Sequence, residues 1–361
     1  MPLVSVAVMS FNSRKYYGKR YDEISRYLEV CLESIKKQDY KNIEISVFDD
    51  CSEEDPSEKI KKSFPDVKIF RNKENIGLLK TENKAIRQSH GKYILILNQD
   101  IYLENDYVSK LVEVMEDDET IGVSIGKIKR FFIDNNLSVR FTNVLDSVGL
   151  QFPRDRNIID RGQLEKDSGQ YDKSGFVFGV TGAAPFYSKK ILEETAINGE
   201  YYDEDFWMYK EDPDLCWRMN IQGFKCFYCA DTIAYHARSS GGISKDDREK
   251  FFRRRISIVI SRIFRSGSGS IATRRRSYSN HYFMLIKNDT LSMLAKSIIP
   301  FGWLEFQKFV FGTFFEPRAF FPSWVDFFGK LAKIKKKRKI IQSRRKVSPK
   351  ELEELFCRSI W

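Results

Sequence analysis

Nowhere in the 361 residues is there a run of about 18 uncharged apolar side chains, which argues against a membrane-spanning helix. The opening Met1-Pro2-Leu3-Val4-Ser5-Val6 has no basic stretch followed by a long apolar segment, so no secretory signal is expected. Cysteine is sparse. Cys31, Cys51, Cys216, Cys226, Cys229 and Cys357 are dispersed, a pattern that suits reduced thiols in a cytoplasm better than a disulfide framework. Cys226 and Cys229 form one C-x-x-C with no second pair at finger spacing, which favours a core strand over a zinc site. A Gly-rich phosphate loop after the first strand is missing, which weighs against a nucleotidyltransferase, and no recognised nucleic-acid-binding motif occurs.

What is present is a globular composition, 42% hydrophobic, 31% charged and 14% aromatic, long enough for one large domain or two ordinary ones. The net charge of +11 hides a split. From Arg248 onward there are 26 Lys and Arg against 8 Asp and Glu, net +18, whereas residues 1–247 carry 35 against 42, net −7. An acidic front is poorly suited to polyanions unless a metal intervenes, while a basic, aromatic-rich back can sit on a phosphate-bearing surface.

In the front part, residues 3–9 form a β-branched apolar run closed by Ser10-Phe11-Asn12, predicting a buried strand and a turn. Leu28, Cys31, Leu32 and Ile35 predict an amphipathic helix over 24–37. Strands are expected at 43–48, ending on Asp49-Asp50-Cys51-Ser52, at 67–70, and at 93–97, ending on Asn98-Gln99-Asp100; a helix at 79–89 stops at His90-Gly91. Alternating strands and helices imply an α/β fold with a mostly parallel sheet, in which ligands bind beyond the carboxyl ends of the strands. Asp49, Asp50 and Asp100 fall at those ends.

Asn75-Ile76-Gly77, then Asn83, then Asn98-Gln99-Asp100 resemble the nucleotide-sugar half of family 2 glycosyltransferases, which have the GT-A (Rossmann-like) fold. The resemblance implies that Asp49 contacts the nucleobase, with Asp50, Phe11, Asn75, Gly77, Asn83 and Asn98 around the nucleotide sugar. It also implies a divalent cation, Mg²⁺ or Mn²⁺, on the diphosphate. Asn98-Gln99-Asp100 matches the N-x-D variant of the family's D-x-D element, so Asp100 is the expected direct ligand, and one carboxylate suffices when phosphates and waters complete the shell. Glu82 stands where the family often has an arginine, which leaves Lys80 as the nearby cation.

Residues 146–172 are polar and Gly-rich and predict hairpins or loops over a site. Their wording, and Gly179-Val180-Thr181-Gly182-Ala183-Ala184, resemble the rhamnosyltransferase-like branch of the family. Small residues at Gly179, Gly182 and Ala183 would let backbone approach a sugar closely, or make a tight strand-to-helix turn. In Glu211-Asp212-Pro213-Asp214-Leu215-Cys216-Trp217-Arg218, Pro213 suits the first helical position and would put Asp212 at the N-cap. The Glu-Asp pair before such a helix resembles the family's base signature, which implies Asp212 as catalytic base and Glu211 as an acceptor-orienting neighbour. The same resemblance places Gly182, Ala183, Trp207 and Trp217 at the acceptor and His236 near metal and diphosphate.

In the back, Phe251-Phe252-Arg253-Arg254-Arg255 and Arg274-Arg275-Arg276 flank a Ser-Gly stretch at 266–270 that reads as flexible. Aromatic residues recur from Trp303 to Phe328, and nine Lys and Arg follow within 333–346. Amphipathic aromatic helices beside basic residues fit the headgroup boundary of an anionic bilayer, where each basic side chain contributes about 1 kcal/mol.

The expectation is therefore a GT-A domain over 1–247 (nucleotide-sugar half 1–125, acceptor half 126–247) and a basic helical region over 248–361 that lies on a membrane surface. By the resemblance, the chain is an inverting, non-processive transferase, lacking the Q-x-x-R-W element and spanning helices of processive members. It would move one sugar from a dTDP- or UDP-sugar, with dTDP-rhamnose favoured by the middle block, to a lipid-linked bacterial surface glycan such as an O-antigen or cell-wall polysaccharide. The expected setting is peripheral, on the cytoplasmic face of the plasma membrane, with no nucleic-acid partner and a homo-oligomer left open. The competing class is a catalytically silent scaffold on the same fold.

Overall fold

The computed structural model describes residues 1–14, 21–134, 136–238 and 270–357. The segment Phe251–Ile256 and most of the Ser-Gly stretch lie outside them.

The apolar run at the N-terminus forms β1 (Val4–Ser10), buried at every position, which is why it shows no polar alternation. It pairs in parallel with β2 (Ile43–Asp49) and β4 (Tyr93–Asn98), and β2 pairs with β3 (Lys68–Arg71). The crossovers are α1 (Tyr21–Lys36), α2 (Ser57–Ser63) and α3 (Leu78–Gln88). After β4 the chain runs through β5 (Ile101–Leu103), α4 (Tyr107–Asp117), β6 (Ile121–Ile133), β7 (Val139–Ser147), β8 (Leu150–Pro153), β9 (Ile159–Asp160) and β10 (Gly175–Val177). Then come β11 (Phe186–Ser188), α5 (Lys189–Thr195), α6 (Glu211–Ile221) and β12 (Lys225–His236).

Among the described residues the main sheet has the order β10-β12-β6-β11-β4-β1-β2-β3. Its β3-β2-β1-β4 half is parallel, and β11 sits antiparallel between β4 and β6, so the sheet is mixed in the GT-A manner. β12 runs unbroken past an irregularity between Cys229 and Ile233, where its pairing with β6 shifts register. Cys226 and Cys229 are buried in it.

The back part folds into α7 (Ile271–Asn288), α8 (Leu291–Lys296), α9 (Ile298–Phe314), α10 (Pro317–Ser343) and α11 (Pro349–Glu353). Phe283, Met284, Ile334 and Ile341 belong to the same hydrophobic cluster as the sheet, so helices and sheet share one core. A buried ionic cluster joins them as well. Asp203 receives the ammonium groups of Lys287 on α7 and Lys337 on α10, Lys287 also reaches Asp214 at 2.9 Å, and Lys337 reaches Glu200 at 2.9 Å and Asp205 at 2.8 Å. Burial alone would raise the Asp203 carboxyl, but the two lysines outweigh it and hold it well below the usual range.

Part of the basic run at 333–346 is therefore engaged inside the fold. Lys333 and Lys337 bind the acidic loop at 200–205, and Arg338 and Arg344 donate to the carbonyls of Asp289 and Ala196. An acidic front and a basic back neutralise one another across this contact. Asp203→Ala strips a buried carboxylate from two buried lysines, and we expect a loss of about 3 kcal/mol in denaturant unfolding, at the low end for a broken buried pair because Glu200, Asp205 and Asp214 remain.

Candidate active site

The site assembles where β4, β12 and α6 end or begin together. Gln99 anchors the end of β4 to the end of β1. Its amide oxygen accepts from Ser10 Oγ (3.0 Å) and the Phe11 N–H (3.3 Å), and its amide nitrogen donates to Asn12 Oδ1 (2.9 Å). β5 then pairs antiparallel with β12 so that Ile101 faces His236, which brings the imidazole beside Asp100, with Nε2 3.4 Å from the carboxylate. The other ring nitrogen, Nδ1, lies 2.9 Å from Asp146. Burial disfavours the charged imidazole, but Asp100 and Asp146 prevail and raise His236 to about 9. Asp146 also binds Arg130 (3.0 Å) and Arg238 (2.8 Å), and stays ionised well below the usual range despite its burial.

Asp100 and His236 are thus a carboxylate and an imidazole facing one another, with Asp146 behind the ring to set its orientation, the arrangement that ligating histidines use. No cluster of three metal-ligating side chains exists among the described residues. Two protein ligands fit a cation that fills its remaining positions with phosphate oxygens and water.

Across from this pair lies Asp212. The helix α6 begins at Glu211, with Lys210 at its N-cap, so Asp212 stands inside the first turn rather than at the cap as the position of Pro213 predicts. Its carboxylate is therefore free of capping duty and instead accepts the Gly182 N–H at 2.8 Å. A Cβ at Gly182 would overlap that carboxylate, and one at Gly179 would come within 2.8 Å of Cys216 Cβ. Residues 212 and 216 lie on one face of α6, one turn apart, which accounts for two glycines three residues apart on the segment packed against it. The neighbouring Ala183 carbonyl accepts the Asn98 N–H (3.2 Å), so the dipeptide Gly182-Ala183 ties the end of β4 directly to Asp212.

Burial raises the Asp212 carboxyl; the Gly182 N–H and Arg238 pull it down, Asp160 pushes it up, and it settles at about 7. Glu211 is buried and raised well above the usual range by burial and by Asp212. Glu82, buried on α3, is raised likewise by its burial and by Glu211 and Asp212. One carboxylate oxygen of Glu82 and one of Glu211 have no hydrogen-bond partner among the described residues. Asp212 alone of the three is only half-buried, so it is the carboxylate an acceptor can reach.

The loop leading into α6 is strained. Trp207, Tyr209 and Lys210 all have positive φ (65°, 66° and 72°), a region that costs a non-glycine residue roughly 1–2 kcal/mol each. Asn280 on α7 holds it there, its buried amide nitrogen lying within 3.0 Å of the carbonyls of Phe206, Met208 and Tyr209. The indole of Trp207, 39% exposed, lies against Gly77, where a Cβ would come within 3.2 Å of the ring, and the Arg276 guanidinium covers it at 4.8 Å. Releasing this loop should misplace Asp212. Asn280→Ala is expected to lower kcat/KM about tenfold, and Asn280→Asp, of the same shape but without the donating N–H, to do no better, as steady-state kinetics will show.

The family profile described as Glycosyl transferase family 2 matches residues 19–194. An N-acetylglucosaminyltransferase of Bradyrhizobium elkanii is 34% identical over 133 residues, 36% of this chain and 67% of the relative. The chain belongs to glycosyl transferase family 2. The glycosyltransferase GlyA of Streptococcus pneumoniae serotype 4 is 37% identical over 101 residues, 26% of this chain but 14% of that protein, so this family 2 chain spans only a small part of some curated relatives. Among solved structures, GalNAc-T7 with UDP, GalNAc and Mn²⁺ superposes with a TM-score of 0.52 at 14% identity, covering 83% of this chain and 59% of that one, a likeness of fold.

In this family 2 chain several expected contacts have other duties. Asp49 is fully buried, with its carboxylate taken up by Ser52 (N–H, 3.0 Å) and Arg71 (3.3 Å). Asp50 accepts from Asn72, the Ile76 N–H and the Gly77 N–H, each at 2.9 Å, and shapes the Asn75-Ile76-Gly77 turn from beneath. Asn83 is fully buried, and its amide joins α3 to Tyr202 (2.8 and 2.9 Å) and Glu204 (3.0 Å). Trp217 is in the core against Phe152, and Ala183 is buried with its carbonyl committed to Asn98, so neither side chain meets an acceptor. The close approach of Gly182 is to Asp212, not to a sugar. Asp100 meets His236, Gly182 meets Asp212, Asn98 donates to Ala183 and Trp207 lies against Gly77; Phe11 is half-buried at the end of β1, and Asn75 is exposed in the loop before α3.

Asp146, Asp160, Arg238, Arg276 and Asn280 were not singled out as site residues from sequence. Asp146 and Asp160 sit in the polar 146–172 stretch, whose excess of aspartate was the available signal; Asn280 and Arg276 carry none, since each acts across a fold contact about 70 residues away in the chain.

Proposed function

We propose that the chain is an inverting glycosyltransferase that moves one sugar from a nucleoside diphosphate sugar to a hydroxyl of a lipid-linked bacterial surface glycan. The observation that carries this reading is the tie through Gly182-Ala183, which sets the carboxylate of Asp212 against the strand end bearing Asn98 and Asp100. Asp212, close to neutrality in pKa, takes the proton from the acceptor hydroxyl while that oxygen bonds to the anomeric carbon, a contribution of typically 10²–10⁴-fold. The bond from that carbon to the diphosphate breaks on the opposite side, its electron pair leaving with the phosphate. Buried Glu211, next to Asp212 in the first turn of α6, would position that carboxylate for the acceptor.

Asp100 would hold Mg²⁺ or Mn²⁺, joined by Nε2 of His236 once the cation has displaced its proton, and the cation would supply positive charge for the departing diphosphate. Phe11, Asn75, the Gly77 backbone and Asn98 flank the donor, and Trp207 with Gly182 flanks the acceptor. The sequence favours dTDP-rhamnose or a UDP-hexose, and the relatives named N-acetylglucosaminyltransferase add UDP-N-acetylglucosamine to the donors to be tried. The setting proposed is the cytoplasmic face of the plasma membrane, with 1–247 as the catalytic part.

The test is nucleoside diphosphate release from a panel of sugar nucleotides, with Mn²⁺ or with chelator, against a bacterial membrane extract. Release from one donor that chelator abolishes and Asp212→Asn suppresses is the expected result. No release, and no nucleotide binding by calorimetry, would instead mark a silent scaffold.

A further inference from the structure

Among the described residues, eleven of the eighteen large apolar side chains left exposed lie between Leu291 and Phe328, although this is under an eighth of the described chain. They form the outer face of the elbow made by α9 and the first half of α10, with Ile299 at 82%, Phe314 at 74% and Phe328 at 66% exposure, and Trp303, Phe306 and Phe309 between them. The elbow is rigid. Leu304, Phe311, Phe320 and Phe327 are buried on its inner side, Trp324 stacks on Tyr282 at 4.9 Å, and Gly312 has no room for a Cβ against the Phe320 ring. Such a patch on a fixed scaffold is an interaction surface.

Its charge selects the partner. All three carboxylates between Leu291 and Phe328 are engaged by cations or hydroxyls. Glu305 binds His281 (3.1 Å) and Lys308 (2.8 Å), Glu316 binds Tyr278 (3.0 Å), and Asp326 binds Arg275. Arg318 on the elbow and Lys335, Lys336 and Lys339 further along α10 are exposed. An apolar, aromatic face with no unpaired negative charge and basic residues at its margin matches an anionic bilayer, and no described helix is long and apolar enough to cross one.

We propose that the α9–α10 elbow docks the chain on an anionic lipid bilayer, with Ile299, Trp303, Phe306, Phe309, Phe314 and Phe328 seated at the acyl boundary. The membrane contact is thus this elbow, and the basic run at 333–346 is largely an internal clamp. α10 joins the two functions. Its outer face meets lipid while Lys330 and Lys333 on the same helix hold Asp205 (2.7 and 2.8 Å), in the loop that runs to Trp207 and Asp212. A lipid-linked acceptor would then meet the base at a fixed height above the bilayer.

The test is co-sedimentation of the full chain with vesicles of phosphatidylcholine alone or with about a third phosphatidylglycerol, alongside donor binding and circular dichroism. Ile299→Glu with Phe314→Glu should weaken partitioning onto the anionic vesicles at least about tenfold, leaving donor binding and the melting curve unchanged. Lys335→Glu with Lys336→Glu should shift the salt concentration that releases the chain downward. Three results would overturn the proposal. The chain could stay in the supernatant; it could pellet equally well with the variants; or it could form a dimer in sedimentation velocity that the Ile299→Glu, Phe314→Glu variant splits without any vesicle binding. Donor binding in the same samples reports on the transferase reading independently.

Discussion

Asp212→Asn is expected to lower kcat by about 10²–10⁴-fold with little change in donor KM, because the acceptor proton loses its carboxylate destination while the donor contacts stand. The pH profile of the parent enzyme gives a second signature. Burial and the Asp160 charge, opposed by the Gly182 N–H and Arg238, put Asp212 at about 7. A base acts unprotonated, so kcat/KM should rise tenfold per pH unit below about 7 and level off above it.

The same shift has a stability consequence of fixed sign. The folded-state pKa lies above the unfolded value, so the folded chain holds a proton that the unfolded chain has released, and stability falls as pH rises from about 4 to about 7. Asparagine keeps the acceptor for the Gly182 N–H without the buried charge. Asp212→Asn should therefore melt at or above the parent temperature at pH 8, with the difference closing near pH 4. A variant that is inactive and also melts well below the parent at pH 8 would point to misfolding rather than to a lost base.

Gly182→Ala is the second large effect. The added methyl group occupies the position of the Asp212 carboxylate, so Asp212 must rotate away and give up the Gly182 N–H. A base displaced by about 1 Å is expected to cost about 10²-fold in kcat, with nucleotide affinity retained because the atoms nearest the new methyl all belong to Asp212. Gly179→Ala serves as the contrast. Its methyl meets Cys216 within the core, so it should act on stability, by about 1–3 kcal/mol, more than on kcat in the fraction that remains folded. Equal losses of kcat in both variants would mean that the segment tolerates no change of any kind, and that the contact with Asp212 has no separate role.

Much of this was legible in the linear chain. Local patterns announce themselves: the buried run of β1, the strand that leads into Asn98-Gln99-Asp100, and the helix around Pro213 are each set by residues within about ten positions of one another. His236 could be placed near Asp100 only through the family resemblance; the reason they meet is the β5–β12 register. Small residues at Gly179 and Gly182 signalled a close approach, but not to what.

The sequence by itself determined the α/β alternation and the acidic strand ends, because hydrophobic period, turn residues and helix-start signals are local properties; the candidate base came from the family resemblance of Glu211-Asp212. The tertiary structure alone decided which carboxylates are reachable. Asp49 and Asp212 are both aspartates beside a strand or helix end, and only packing buries the first and leaves the second half-open. It also decided the use of the basic back. Whether a lysine faces lipid or a buried aspartate depends on the partner surface, and the linear chain does not show that Asp203 waits some 130 residues away for Lys337. The electrostatic cost of burying an unpaired charge then imposes the pairing, and the aromatic residues left exposed define the outer face.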